Sequence, residues 1–307
     1  MPVSKRGTVA GRACGTSPHG DGGAARAQNH PTMSGTVDQY GVVGHPVAHS
    51  LSPFIHAMFA RQTGQSMSYR LFDFAPEELE QRLAAFFAQG GRGLNITLPF
   101  KVAAVARADE LTPRAQHAGA INTLAMRKDG SILGDNTDGV GLTQDLCVNQ
   151  RVVVTRRRVL IIGAGGAVRG VLAPLLALAP EAIVIANRTA DRAKALATSF
   201  SQMGDVQGVG FRYIAGGPYD VVINATSASI TGEIPDIPVA VVGPETFCYD
   251  MAYGKGDTAF VRWCVELGCR AAASGWGMLV EQAAESFRLW RGVKPLTGPV
   301  LAALTSS

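Results

Sequence analysis

The chain has no apolar run long enough to span a bilayer. Its longest hydrophobic stretches are broken by Arg, Gly or Pro well short of the roughly 18 residues a crossing needs, so no membrane partner is expected. Cysteine is sparse: five residues at positions 14, 147, 248, 264 and 269, an odd number with no C-x-x-C pair. That spacing supports neither a disulfide framework nor a zinc site, and no metal is expected. The thiols read as idle or buried groups of a reducing compartment, which makes the cytoplasm the expected location. Excess charge is scarce as well. The formal net charge is +4, and Lys5, Arg6, Arg12 and Arg26 against Asp21 account for three of those charges. The remainder of the chain is nearly neutral, which argues against nucleic acid as a partner. No internal repeat is visible.

Residues 1–33 are rich in Gly, Ala, Ser, Thr and Pro, carry almost no large apolar side chains and show no periodicity. Such a segment cannot offset its ordering entropy, so a disordered extension is expected. It lacks the apolar centre of a secretory signal, and no amphipathic helix can be drawn through it. An over-long reading frame is the plain explanation, with Met33 as the start.

From Tyr40 the character changes. YGVVG reads as a strand, LSPFIHAMFARQTG as a helix opened by Ser52 and Pro53, and YRLFDF as a second strand. PEELEQRLAAFFAQGG follows as a helix opened by Pro76 and stopped by Gly90 and Gly91, and GLNITLPFK as a strand ending at Pro99. Strands alternating with helices at this pitch indicate an α/β fold with crossover connections. A second unit starts after GDNTDGVGL, with VLIIGAGGAVRGVLAPLLAL, AIVIANRT, YDVVINAT, TFCYDMAY, TAFVRWCVELG and CRAAASG. GMLVEQAAESFRLWRGV is a closing helix on which Met278, Leu279, Phe287 and Trp290 are expected to share a face.

VLIIGAGGA is an apolar strand running into a glycine turn that opens a helix, the context in which a glycine run points to a dinucleotide. Gly163 can make the tight turn, while Gly165 and Gly166 let the backbone approach a pyrophosphate at the helix N-terminus. A carboxylate closing the next strand would accept from a ribose 2′-hydroxyl and repel a 2′-phosphate. Here that place holds Asn187, Arg188 and Thr189, with Arg192 one turn beyond Arg188. Two guanidinium groups and a hydroxyl suit a phosphate, so NADP is expected over NAD.

In GLNITLPFK, strand alternation puts Asn95 and Thr97 on one face and Leu94, Ile96 and Leu98 on the other. Lys101 follows, at the head of an expected helix, and is a candidate acid/base. Three polar clusters accompany it: Ser50 and Ser52, Asn122 and Thr123, and Asp135 to Asp138 in GDNTDG. Each alone could be turn chemistry. Together they offer hydroxyls, amides and carboxylates suited to a polyhydroxylated acid.

Taken in order, H-S-x-S-P, N-I-T-x-P-x-K, G-A-x-N-T, D-N-T-D-G, G-A-G-G-A, N-R-T, D-M-x-Y and G-x-G-M-L-x-x-Q resemble the shikimate dehydrogenase family, from about Tyr40 to the closing helix. The resemblance implies two α/β domains: a substrate domain over 34–137, a Rossmann-type NADP-binding domain over 138–275, and a C-terminal helical segment over 276–307 that returns to the first domain. It implies NADP-dependent reversible reduction of 3-dehydroshikimate to shikimate, within the biosynthesis of chorismate and the aromatic amino acids. Ser50 and Ser52 would hold the substrate carboxylate, and Thr97, Asn122, Asp138, Tyr253 and Gln282 would contact its hydroxyls or ring. Lys101 would be the acid/base, with Asp138 bonded to it and to substrate. For the cofactor the resemblance implies Gly163, Ala164, Gly165, Gly166, Ala167, Asn187, Arg188, Thr189, Arg192, Met251 and Gly275. The partner is a small-molecule substrate, and a homodimer is compatible with this reading.

The chain departs from the family pattern at Val168, where a small hydroxyl residue is common, at Ser229, and at Ser274, where Asp often stands. These positions lie around the cofactor rather than the substrate. Two other readings stand beside the main one. A quinate/shikimate dehydrogenase using NAD is disfavoured by the serine pair and the missing carboxylate at the second strand's end. A non-catalytic nucleotide-binding regulator is disfavoured by Lys101 and Asp138.

Overall fold

A computed structural model describes residues 37–306. The expectations for residues 1–33, the start at Met33 and Cys14 lie outside the described residues. The first half of the described chain runs β1 (Asp38–Gly44), α1 (Ser52–Thr63), β2 (Met67–Asp73), α2 (Leu79–Ala88), β3 (Gly91–Ile96), β4 (Glu110–Leu111), α3 (Pro113–Ala118), β5 (Thr123–Met126) and β6 (Ile132–Asp135). Its strands form one sheet in the order β2-β1-β3-β5-β6-β4. The β2-β1-β3 part is parallel, as crossover helices require, whereas β5 runs antiparallel to both β3 and β6. Leu94 and Ile96 of β3 join Val43, Leu83, Phe87 and Leu124 in the core beneath α2.

The second half runs α4 (Asp138–Gln144), β7 (Arg158–Ile162), α5 (Gly166–Leu176), β8 (Ala182–Asn187), α6 (Ala190–Phe200), β9 (Val206–Gly210), β10 (Val221–Asn224), β11 (Phe247–Asp250), α7 (Ala259–Glu266), β12 (Ala271–Ser274), α8 (Trp276–Arg291) and α9 (Gly298–Thr305). Its sheet is wholly parallel, in the order β12-β11-β10-β7-β8-β9. The strand order reverses between β7 and β10, and ligands of open α/β sheets bind at such switch points. Continuous apolar strands such as VLII are buried on both faces, under α5 and α6 on one side and α7 on the other.

Helix α4 joins the halves. Gly139 and Gly141 allow this: a Cβ on Gly139 would overlap Pro174 of α5, and one on Gly141 would stand 2.7 Å from the Gln282 side chain of α8. Helix α8 leaves the second sheet and lies against the first, where Trp290 Nε1 donates to the Leu124 carbonyl at 3.0 Å. Its residues divide accordingly. Met278 packs in the core of the second sheet, while Val280, Ala283, Ala284 and Phe287 pack with Ile55 and Phe59 of α1. The single shared face expected for Met278, Leu279, Phe287 and Trp290 is therefore corrected: 100° per residue sets Met278 opposite Phe287, because α8 faces two cores.

Other local expectations also change. Ser52 is the first helical residue rather than the cap; Leu51 precedes it, and Ser50 Oγ accepts from the Ser52 amide at 3.3 Å. Lys101 lies in a turn before a short 3-10 segment, Ala103–Arg107, not at the head of an α-helix. Leu98 is exposed because β3 ends at Ile96 and the chain has already turned. The β5–β6 hairpin and the strand β9 were not read from the sequence.

Candidate active site

On the nucleotide side, β7 ends at Ile162 and the chain turns through Gly163 at φ +116°, a conformation L side chains rarely adopt. A Cβ there would also stand 3.1 Å from the Ala225 carbonyl that follows β10. Gly165 sits at the N-cap of α5, and a Cβ on it would meet nothing within 4 Å. The amides of the Ala164–Ala167 turn and helix start therefore face a cradle that can receive an anion. Val168 is buried in the core, so its departure from the family pattern is a packing matter.

Asn187 closes β8 and its Nδ2 donates to the Thr189 carbonyl at 3.0 Å. Arg188, Thr189 and Arg192 are exposed around the start of α6. Asp191, the acid between the two arginines, lies 3.8 Å from Lys194 instead. Two guanidinium groups and a hydroxyl on this surface can receive a phosphate. Met251 and Gly275 are backbone neighbours: Gly275 N donates to Ala252 O at 2.9 Å, and a Cβ on Gly275 would overlap the Met251 carbonyl. Behind them Asp250 is buried and accepts from Asn224, Thr258 at 2.6 Å, the Ala252 amide, and Ser229 at 2.5 Å. Burial raises its carboxyl pKa, and these donors offset part of the effect. Ser229, a departure from the family pattern, is thus a ligand of a buried carboxylate. Tyr253 packs its ring against Trp276, centroids 4.9 Å apart, and burial pushes its phenol up.

On the other side, Lys101 Nζ donates to Asp138 Oδ2, with side chains only 13% and 6% exposed. Asp138 Oδ1 accepts from Asn122 Nδ2 at 2.8 Å, and the same nitrogen lies 3.3 Å from Gln282 Oε1. The Asn122 amide has a defined orientation, since its Oδ1 accepts from the Thr137 backbone amide at 2.8 Å and its nitrogen must therefore face the carboxylate. Lys101, Asp138, Asn122 and Gln282 come together. Ser50 and Ser52 form a second pair, 3.1 Å apart. Thr97 is half-buried just beyond β3, its methyl against Gly44.

The two sides meet at Gly166. A Cβ built there would lie 3.9 Å from Lys101 Cβ, so the lysine stands at the glycine turn of the nucleotide side. Arg188 follows β8 and Arg192 stands in the first turn of α6, and Tyr253 makes its ring contact with Trp276.

Several residues of the site were not singled out from the sequence. Asn95, read only by its strand face, donates to the Asn122 carbonyl, Thr123 and Ser286, and accepts from the Tyr69 phenol at 2.8 Å. Burial drives the pKa of the Tyr69 phenol upward and keeps it a donor to Asn95. His56, one turn after Ser52, stacks on Tyr69. Arg114 clamps Asp135 with two nitrogens, Nε at 2.7 Å from Oδ1, and reaches Glu285 of α8 at 3.0 Å. Burial would raise the Glu285 carboxyl, but Arg288 and Arg114 outweigh it and hold it below the usual range. A polar residue between the buried Leu94 and Ile96 was a readable signal for Asn95. Arg114 and Glu285 are 171 positions apart, and nothing local announces their meeting.

Among the described residues no helix is long and apolar enough to cross a membrane, and no group of His, Cys, Asp and Glu could hold a metal ion. Cys147, Cys248, Cys264 and Cys269 are free thiols.

Three family models match the chain: the shikimate dehydrogenase substrate binding domain over residues 42–124, shikimate / quinate 5-dehydrogenase over 147–231, and the shikimate 5'-dehydrogenase C-terminal domain over 275–305. The shikimate dehydrogenase (NADP(+)) of Alkalilimnicola ehrlichii is 54% identical over 267 residues, covering 87% of this chain and 98% of that protein. An Ael1 enzyme from Pseudomonas putida superposes with a TM-score of 0.81 at 42% identity, covering 87% of this chain and 98% of its own. The shikimate 5-dehydrogenase of Thermus thermophilus, solved in complex with NADP(H) and shikimate, superposes with a TM-score of 0.77 at 32% identity over 87% and 98% of the two chains. A glycine cradle beside a lysine–aspartate pair, on a chain matched along almost the whole of such relatives, leaves one assignment: it belongs to the shikimate dehydrogenase family.

Proposed function

We propose that this chain is an NADP-dependent shikimate dehydrogenase, reversibly reducing 3-dehydroshikimate to shikimate for aromatic amino-acid biosynthesis. The observation that carries the proposal is the buried Lys101–Asp138 pair standing against the glycine turn. NADP supplies or accepts the hydride when bound. The turn from Gly163 through Ala167 receives its pyrophosphate, Asn187, Arg188, Thr189 and Arg192 its 2′-phosphate end, and Met251 and Gly275 border the reacting ring. Ser50 and Ser52 hold the substrate carboxylate, and Thr97, Asn122, Tyr253 and Gln282 face its hydroxyls and ring. Lys101 gives a proton to the C3 oxygen during reduction and takes it back during oxidation, while Asp138, itself held by Asn122, keeps the ammonium aimed.

The same reading divides the chain into a substrate domain over 34–137, a cofactor domain over 138–275 and a returning helical segment over 276–307. Supporting it are the two sheets and the contacts of α8 with the first. A cytoplasmic enzyme, monomeric or homodimeric, with a small molecule rather than nucleic acid as its partner, belongs to this reading. The test is direct: purified protein mixed with NADP and shikimate should generate absorbance of reduced nicotinamide. No signal with shikimate, or one with NAD and quinate alone, would overturn the assignment.

A further inference from the structure

Ser286 is fully buried on α8, one turn beyond Gln282. Its hydroxyl accepts from Asn95 Nδ2 at 3.0 Å and meets Thr123 Oγ1 at 2.8 Å, Thr137 Oγ1 at 3.2 Å and the Gln282 carbonyl at 3.1 Å. Those partners belong to β3, to β5, to the segment leading into Asp138, and to α8 itself. A hydroxyl carries one proton, so the direction of each bond matters. Ser286 and Thr123 each have a partner that can only accept, the Gln282 carbonyl and Asn122 Oδ1 at 2.8 Å, and either hydroxyl can donate to the other. Ser286, Thr123 and the Asn122 amide therefore form one hydrogen-bonded path, and the Asn122 nitrogen donates to Asp138, which holds Lys101.

We infer that Ser286 is a positioning residue for the hydroxyl-binding half of the substrate site, orienting Asn122 and, through it, the Asp138–Lys101 pair. The inference rests on the proposed function, since it assumes that these groups face shikimate. Removing the hydroxyl unlocks the Thr123 rotor and takes away one of the three acceptors around Asn95 Nδ2, with no change to the glycine cradle or to Arg188.

The experiment compares wild type, Ser286→Ala, Thr123→Val and the double variant in steady-state oxidation of shikimate, with NADP binding measured separately in the absence of shikimate. Each single variant should lose about tenfold in kcat/KM, on the scale of one hydrogen bond, with KM for shikimate rising and NADP affinity within about twofold of wild type. The double variant should be little worse than either single one, because both break the same link. A lower melting temperature with unchanged kinetics of the folded protein would overturn the inference, as would equal weakening of NADP or losses that multiply. If Ser286→Ala does not fold, Thr123→Val tests the same link with nearly the same volume. Wild-type turnover keeps the two questions apart: an inactive wild type refutes the proposed function, whereas an active wild type with indifferent variants refutes the role of Ser286 alone.

Discussion

Acid should unfold this protein in part through one histidine. His56 is fully buried between the rings of Tyr69, 4.3 Å away and nearly parallel, and Phe59, Phe287 and Trp290, and neither ring nitrogen has a hydrogen-bond partner. Burial lowers its pKa from 6.5 to about 3. In the unfolded chain the imidazole titrates normally, so between pH 6.5 and 3 the unfolded state binds a proton that the folded state refuses. Stability is therefore complete above pH 6.5 and declines as pH falls towards 3. Linkage puts the loss at about 3 kcal/mol by pH 4 and about 4 kcal/mol by pH 3. That is a large share of an ordinary domain stability of about 5–15 kcal/mol. Urea unfolding of wild type and His56→Phe at pH 7, 5.5 and 4 isolates the contribution, because the phenyl ring keeps the stacking and cannot bind a proton. The stability difference between the two should shift in favour of the variant by about 3 kcal/mol from pH 7 to pH 4. Parallel pH dependences would show that His56 is protonated within the fold or reached by water, and the argument from burial would fail.

Lys101→Ala should lower kcat about 10²- to 10⁴-fold with far less change in KM, measured by steady-state kinetics; a raised KM with intact kcat would make the lysine a clamp. Asp138→Asn should also depress kcat, and combining it with Lys101→Ala should add little, since the pair acts as a unit. Arg188→Ala should weaken NADP by roughly 1.5–3 kcal/mol in a direct binding measurement while NAD changes little, and equal weakening of both would mark the arginine as structural. Gly93→Ala would drive a Cβ into the Trp290 indole that anchors α8, so urea unfolding should show a loss of about 1–3 kcal/mol; an unchanged midpoint would mean that the indole moves aside freely.

The sequence by itself determined what is written in neighbouring residues. Apolar strands flanked by Gly and Pro announced β1, β3, β7 and β8, and the glycine turn after VLII together with Asn187-Arg188-Thr189 pointed to a dinucleotide with a 2′-phosphate. Eight motifs in fixed order carried the family. The β5–β6 hairpin is not legible in the sequence because its strands are four residues each and β5 opens on Thr123, which beside Asn122 reads as turn chemistry. Tertiary structure alone decided which side chains meet. Lys101 and Asp138 are 37 positions apart, Asn95 and Ser286 are 191 apart, and Arg114 reaches Glu285 across 171. A hydrogen bond acts over about 3 Å and leaves no periodicity in the chain, so these pairings exist only once α8 has left the second sheet and closed over the first.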